Sequence, residues 1–120
     1  MQDFRNLEVW QLAHALTLSA YRLTKRFPAE EKFGITSQMR RAGLSVEANL
    51  AEGCGRGGDA DFGRFVQIAF GSACELECHV LVARDLGFLS REDSQEFLDS
   101  AARVKRMLTA LLRKLKADSR

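Results

Sequence analysis

Along four separate stretches of this chain, apolar residues recur at alternating spacings of three and four. Val9, Ala13, Leu16, Ala20, Leu23 and Phe27 form the first seam, and Ile35, Met39, Ala42, Val46, Asn49 and Gly53 the second. Phe62, Phe65 or Val66, Ala69, Ala73, Leu76, Val80 and Ala83 form the third. Phe97, Ala101, Val104, Leu108, Leu111 and Leu115 form the fourth. This spacing puts each set on one face of a helix, and no segment shows the period-two alternation of a half-buried strand.

The breaks between seams carry their own chemistry. Pro28 is the single proline and disfavours helix at Phe27, so the first helix should stop there. The second helix reads from about Thr36 and should end at Gly53. The third opens near Asp59, a good N-cap residue, and closes at Gly87, a plausible C-cap. The fourth starts at Ser90, with Asp93 three residues on as in a capping box. Four amphipathic helices with short links predict an all-α, antiparallel up-down-up-down four-helix bundle, a single domain over residues 1–120.

The apolar residues exceed these seams. Trp10, Leu12, Leu18, Leu44, Leu50, Phe70, Leu81, Val82, Met107 and Leu112 lie off them. A bundle helix uses about three apolar positions in seven, so part of the surplus is ordinary core. The rest is either wide core stripes in a monomer or a patch that wants a partner.

Charge narrows the function classes. Eighteen basic and sixteen acidic residues leave a net charge of only +2, so any contact with nucleic acid must come from local clustering. From Arg103 to Lys116 six basic residues (Arg103, Lys105, Arg106, Arg113, Lys114 and Lys116) run with no acid between them. The first half of the same helix holds Glu92, Asp93, Glu96 and Asp99, a polarity that also simply suits the helix dipole. The functional reading is a cationic end that meets phosphates. Arg22, Lys25 and Arg26 end the first helix, at the opposite pole of an antiparallel bundle.

No stretch approaches the roughly 18 uninterrupted apolar residues of a membrane span, and "MQDFRNLEVW" lacks the pattern of a secretory signal. A cytoplasmic location without a membrane partner is expected. Three cysteines, an odd number, suit a reducing compartment. Cys74 and Cys78 stand one helical turn apart, too far for an unstrained disulfide.

No enzyme site, cofactor or metal set can be assembled. The two histidines, His14 and His79, fall on different helices, and Cys74, Cys78 and His79 would lack a fourth ligand. In "ANLAEGCGRGGDADF" four glycines fall between Gly53 and Gly58. The run lacks the lysine and Ser/Thr of a P-loop, and it follows no strand. It reads first as a turn between helices, with Arg56 left as an exposed contact and an acid where a phosphate would sit. In the second helix Gln38, Arg41, Ser45 and Glu52 form a polar stripe beside the seam, and Asn49 lies on the seam itself. Glu75 and Glu77 could pair with Arg40 or Arg41. An interhelical polar network and a solvated polar face are both compatible with that stripe.

"FRNLEVWQLAHAL", "YRLTKRFPAEEKFGITSQMRRAGLSVEANLAEGCGR" and "FVQIAFGSACELECHVLVARDLGFL" resemble the bacterial four-helix bundle proteins encoded within intervening sequences of large-subunit ribosomal RNA genes. The most specific pieces are Phe27-Pro28, Gln38-x-Arg40-Arg41-Ala42, Ser45, Asn49-x-Ala51-Glu52-Gly53, Arg56, and Gly71-Ser72-Ala73 with Glu75-Leu76-Glu77. The resemblance implies the bundle, a ring-shaped homopentamer and no catalytic residues. That family is also similar to accessory proteins of diversity-generating retroelements, which work with a reverse transcriptase and bind nucleic acid. Two functions are therefore expected in competition. One is a non-catalytic homo-oligomeric scaffold that binds RNA or another nucleic acid through Arg56, Arg103, Arg106, Arg113, Lys114 and Lys116. The other is a purely structural module, such as an accessory subunit to a nucleic-acid enzyme. Gln38, Arg40, Arg41, Asn49, Glu52 and Glu75 are the candidate structural or interfacial polar set.

Overall fold

A computed structural model describes residues 3–118. Its four helices are α1 (Glu8–Thr24), α2 (Ile35–Cys54), α3 (Asp59–Asp85) and α4 (Arg91–Asp118), with single 3-10 turns at Phe4–Asn6 and Ala29–Glu31. No strand occurs among the described residues. Each helix packs on its neighbour in sequence, and α4 returns to α1. Arg26 Nη2 reaches Asp93 at 3.1 Å and Arg103 reaches Glu8 at 3.7 Å, so the end of α1 meets the start of α4 and the reverse. The result is the expected antiparallel four-helix bundle, about 48 Å long and 20–22 Å across.

The seams face inward. Met39, Leu50, Leu76, Leu108, Val46, Val66, Val80 and Val104 are almost completely buried. One register differs from the sequence expectation. Leu50, placed off the seam, is fully buried, whereas Asn49 is only half-buried. Asn49 Nδ2 instead donates to the Ser45 carbonyl at 2.8 Å on its own helix. Burying the leucine removes more apolar surface from water, and the amide finds its partner locally.

The helix ends differ from expectation in detail. α1 stops at Thr24, three residues before Phe27. The Thr24 hydroxyl donates to the Ala20 carbonyl at 2.7 Å, and the amides of Arg26 and Phe27 close a tighter turn onto Leu23 and Thr24. Phe27 remains buried and meets Phe88 at 5.5 Å between ring centroids, closing that pole. α2 does not end at Gly53 but runs through it to Cys54, with Gly55 as the cap residue. Asp59 is not the cap of α3 but its first residue, and Gly58 precedes it without a side-chain bond. At the far end of α3, Gly87 adopts φ +81 and its amide bonds the Arg84 carbonyl, while Phe88 bonds Ala83. That is the paired bonding of a Schellman stop. Ser90 Oγ accepts from the Asp93 amide at 3.0 Å and so starts α4 as expected.

By length and mean hydropathy (1.3), α3 is the one described helix apolar enough to cross a membrane. A criterion of uninterrupted apolar residues passes over it, because charges punctuate the helix. Eight of its residues are buried in the bundle, the position of a core helix. Its exposed side mixes charged residues with apolar ones: Ile68, Leu81, Val82 and the cap residue Leu86 are 38–58% exposed, among exposed Arg64, Glu75 and Asp85.

Candidate nucleic-acid interface

The second half of α4 lays its cations beside α3. Ala102, Lys105, Arg106, Thr109, Ala110 and Arg113 of α4, with Phe70 of α3, line a groove of about 540 Å³. Positions 102, 106, 109 and 113 are spaced four, three and four, so one helical face presents them together. Phe70, Ala102 and Ala110 give the groove its apolar lining, and Lys105, Arg106 and Arg113 its basic rim.

The rim cations differ in their state. Lys105 Nζ donates to Glu77 Oε1 at 2.9 Å and stands 5.4 Å from the Phe70 ring centroid. The hydrogen bond to Glu77 raises the Lys105 pKa above its ordinary value. Arg106 and Arg113 are exposed and make no ion pair among the described residues. Thr109 Oγ1 donates to the Lys105 carbonyl at 3.0 Å, which leaves its lone pairs as acceptors.

The other predicted basic residues do not join this groove. Arg103 lines a different cleft, of about 280 Å³ between α1 and α4, with Arg22 and Glu96. Lys114 and Lys116 are exposed on the last turns of α4. The topology puts the α2–α3 turn, and with it Arg56, at the same pole as the end of α4. Arg56 there pairs with Glu52 at 3.0 Å and lies 5.1 Å from the Phe65 centroid. Arg22, Lys25 and Arg26 lie at the other pole.

The polar set of α2 and α3 is not one network within the subunit. Ser45 Oγ and Ser72 Oγ, 2.8 Å apart, bridge the helices, and Asn49 joins them through Ser45 Oγ at 3.0 Å. Glu75 pairs with His79 at 3.1 Å and Glu77 with Lys105, so neither meets Arg40 or Arg41. Arg40 donates to Thr24 Oγ1 at 2.9 Å and covers the Tyr21 ring at 4.6 Å. Gln38 and Arg41 face outward. The histidines serve as hydrogen-bonding groups: His14 Nδ1 lies 2.9 Å from Glu47 Oε2 and stacks on Trp10.

All three cysteines are free thiols. Burial raises the Cys54 pKa. Among the described residues no three His, Cys, Asp or Glu side chains gather closely enough to hold a metal ion. In the glycine-rich turn, Asp59 and Asp61 occupy the first turn of α3, where their charge opposes a bound phosphate. Ala102, Thr109 and Ala110, and Phe70 beyond its place among the off-seam apolar residues, are groove residues that spacing alone did not single out.

Fold and surface thus define an all-α bundle with a basic, apolar-floored groove on α4. The profile of the 23S rRNA-intervening sequence protein family matches residues 5–110, and the chain belongs to that family. It is similar to a crystal structure of a protein of unknown function from the S23 ribosomal protein family of Bacteroides thetaiotaomicron VPI-5482. The two share 23% identity at a TM-score of 0.80, over 87% of this chain and 97% of the other. None of the curated proteins compared with the chain matches it. Neither description names a catalytic activity.

Proposed function

We propose that this chain is a non-catalytic, self-associating scaffold that binds RNA or another nucleic acid through the basic half of α4. The observation that carries the reading is the pair Arg106 and Arg113, exposed beside an apolar groove and without an ion pair among the described residues. A net charge of +2 gives little long-range attraction, so affinity must come from repetition. A closed ring would present each patch several times and convert weak contacts into avidity. A homopentamer in the cytoplasm is the assembly this reading expects.

Two predictions test it. Light scattering at micromolar concentration should return the mass of several subunits, five for the ring, and a monomer mass would refute self-association. Mobility-shift titration against a structured RNA should show saturable binding at about 50 mM salt. Two phosphate contacts per subunit imply a roughly tenfold loss per subunit between about 50 and 200 mM. Reversing charge at Arg113 and Lys114 should abolish the shift.

A second reading is favoured by one feature, the exposed apolar residues Ile68, Leu81 and Val82 of α3 with its cap residue Leu86. Those residues suit a purely structural module or an accessory subunit to a nucleic-acid enzyme. Such a module would self-associate yet bind no RNA at low salt.

A further inference from the structure

We infer that the α3–α4 groove takes unpaired nucleotides: a base enters against Phe70 while the backbone phosphates pass Arg106 and Arg113. The inference rests on the nucleic-acid reading above and narrows it to single strands.

Three features of the groove point to a base as well as a phosphate. It is an open groove of about 540 Å³, wide enough for a small planar group to lie along it without being enclosed. Its floor is apolar, with Ala102 and Ala110 leaving open space where larger side chains would fill it. Phe70 is half-buried, so its packing against the core fixes the ring while part of it stays accessible to the groove. Most other aromatic rings are committed elsewhere: Phe27 to Phe88, and Trp10 to Phe4 and His14.

The charges fit the same ligand. Seven residues separate Arg106 from Arg113, two helical turns or about 10 Å along α4. A sugar–phosphate backbone can run past both cations while one nucleotide turns inward between them. No acid among the described residues lines the groove, and Glu77 is paired at 2.9 Å with Lys105, a groove cation that also lies over Phe70. The Thr109 hydroxyl, which spends its proton on the Lys105 carbonyl, can accept from an exocyclic amino group. The stacking contact tolerates any base, because every base has a face to stack, and the Thr109 acceptor adds a preference for bases that carry an amino group. A duplex keeps its bases stacked inside and offers this groove only phosphates.

The test is fluorescence anisotropy at about 50 mM salt. It uses a labelled unstructured twelve-nucleotide RNA and a blunt duplex of equal length, with wild type, Phe70→Leu, Phe70→Ala and Arg106→Glu/Arg113→Glu. Circular dichroism melts check that each variant is folded; Phe70→Leu keeps the apolar packing if Phe70→Ala does not. The single strand should bind more tightly than the duplex. Phe70→Leu should weaken the single strand roughly 5- to 100-fold, the loss of one stacked base, with the duplex unchanged. The double arginine reversal should weaken both. Equal binding of strand and duplex, unaffected by Phe70→Leu, would overturn this inference and leave the nucleic-acid reading standing. Displacement of the strand by polyglutamate at matched charge concentration would also overturn it, assigning the groove to anions in general. Absence of binding to either RNA would overturn both the inference and the reading beneath it.

Discussion

Replacing Leu76 with alanine is expected to destabilise the protein by about 3 kcal/mol, the middle of the range for buried leucine truncations. Leu76 lies midway along α3 with none of its surface exposed, in the layer it shares with other buried apolar residues of the bundle. The loss combines the transfer free energy of the removed carbons with the cavity they leave, because close-packed neighbours relax only in part. In a chain of 120 residues this corresponds to a melting point lower by roughly 10 °C. Leu86→Ala is the matched control, since Leu86 is 58% exposed and its truncation should cost less than about 1 kcal/mol. Urea denaturation at one fixed protein concentration measures both, because self-association would add a concentration-dependent term. Equal costs at the two positions would mean that the buried layer is not the stabilising one.

The contrast between those leucines was largely readable from spacing. Leu76 belongs to a seam that holds a three-and-four rhythm for about six turns, and only a helix face can satisfy that rhythm over such a length. Where two neighbouring residues both satisfied it, the rhythm was silent. Counting from Val46, a step of three gives Asn49 and a step of four gives Leu50. Packing chose the leucine, and the Ser45 carbonyl satisfied the amide. Helix ends were legible to within a few residues, since Asp59 and Gly58 compete for one cap and α1 unwinds before the residue that Pro28 constrains.

The candidate site was half legible. The run of cations from Arg103 to Lys116 is a property of one helix and is visible in the sequence. Its division is not. Arg103 turns toward α1, whereas Arg106 and Arg113 turn toward α3, and this depends on which helix lies on each side of α4. The Lys105–Glu77 pair spans 28 positions, so no local spacing could announce it. The same pair removed Glu77 from the expected contact with α2. Phe70 reads as surplus core until α4 is placed beside it.

Gly53 carries the second large prediction. A Cβ built there would stand 2.9 Å from Phe65 Cβ and 2.9 Å from Phe62 Cδ1, closer than such atoms approach one another in practice. The glycine therefore serves the approach of α2 to α3 at the start of their hairpin, rather than a turn or a phosphate. Gly53→Val should cost about 3 kcal/mol: overpacking of about 1–3 kcal/mol, with little offset because valine is only a modest helix former. Gly53→Ala sets two effects against each other. Alanine gains up to about 1 kcal/mol over glycine in a helix, while the clash with Phe65 Cβ is a clash near the backbone and cannot be relieved by rotating a side chain. The clash should win, and the variant should be less stable than wild type. Gly71, in the middle of α3, has nothing within 4 Å of the place a Cβ would occupy, so only the propensity gain acts there. Gly71→Ala should stabilise an isolated subunit by about 1 kcal/mol. Opposite signs for two identical glycine-to-alanine changes, read from urea melts at low protein concentration, distinguish a steric role from a propensity effect. Should the gain at Gly71 turn into a loss as concentration rises, a second subunit must approach α3 there, since nothing within one subunit lies close enough to object.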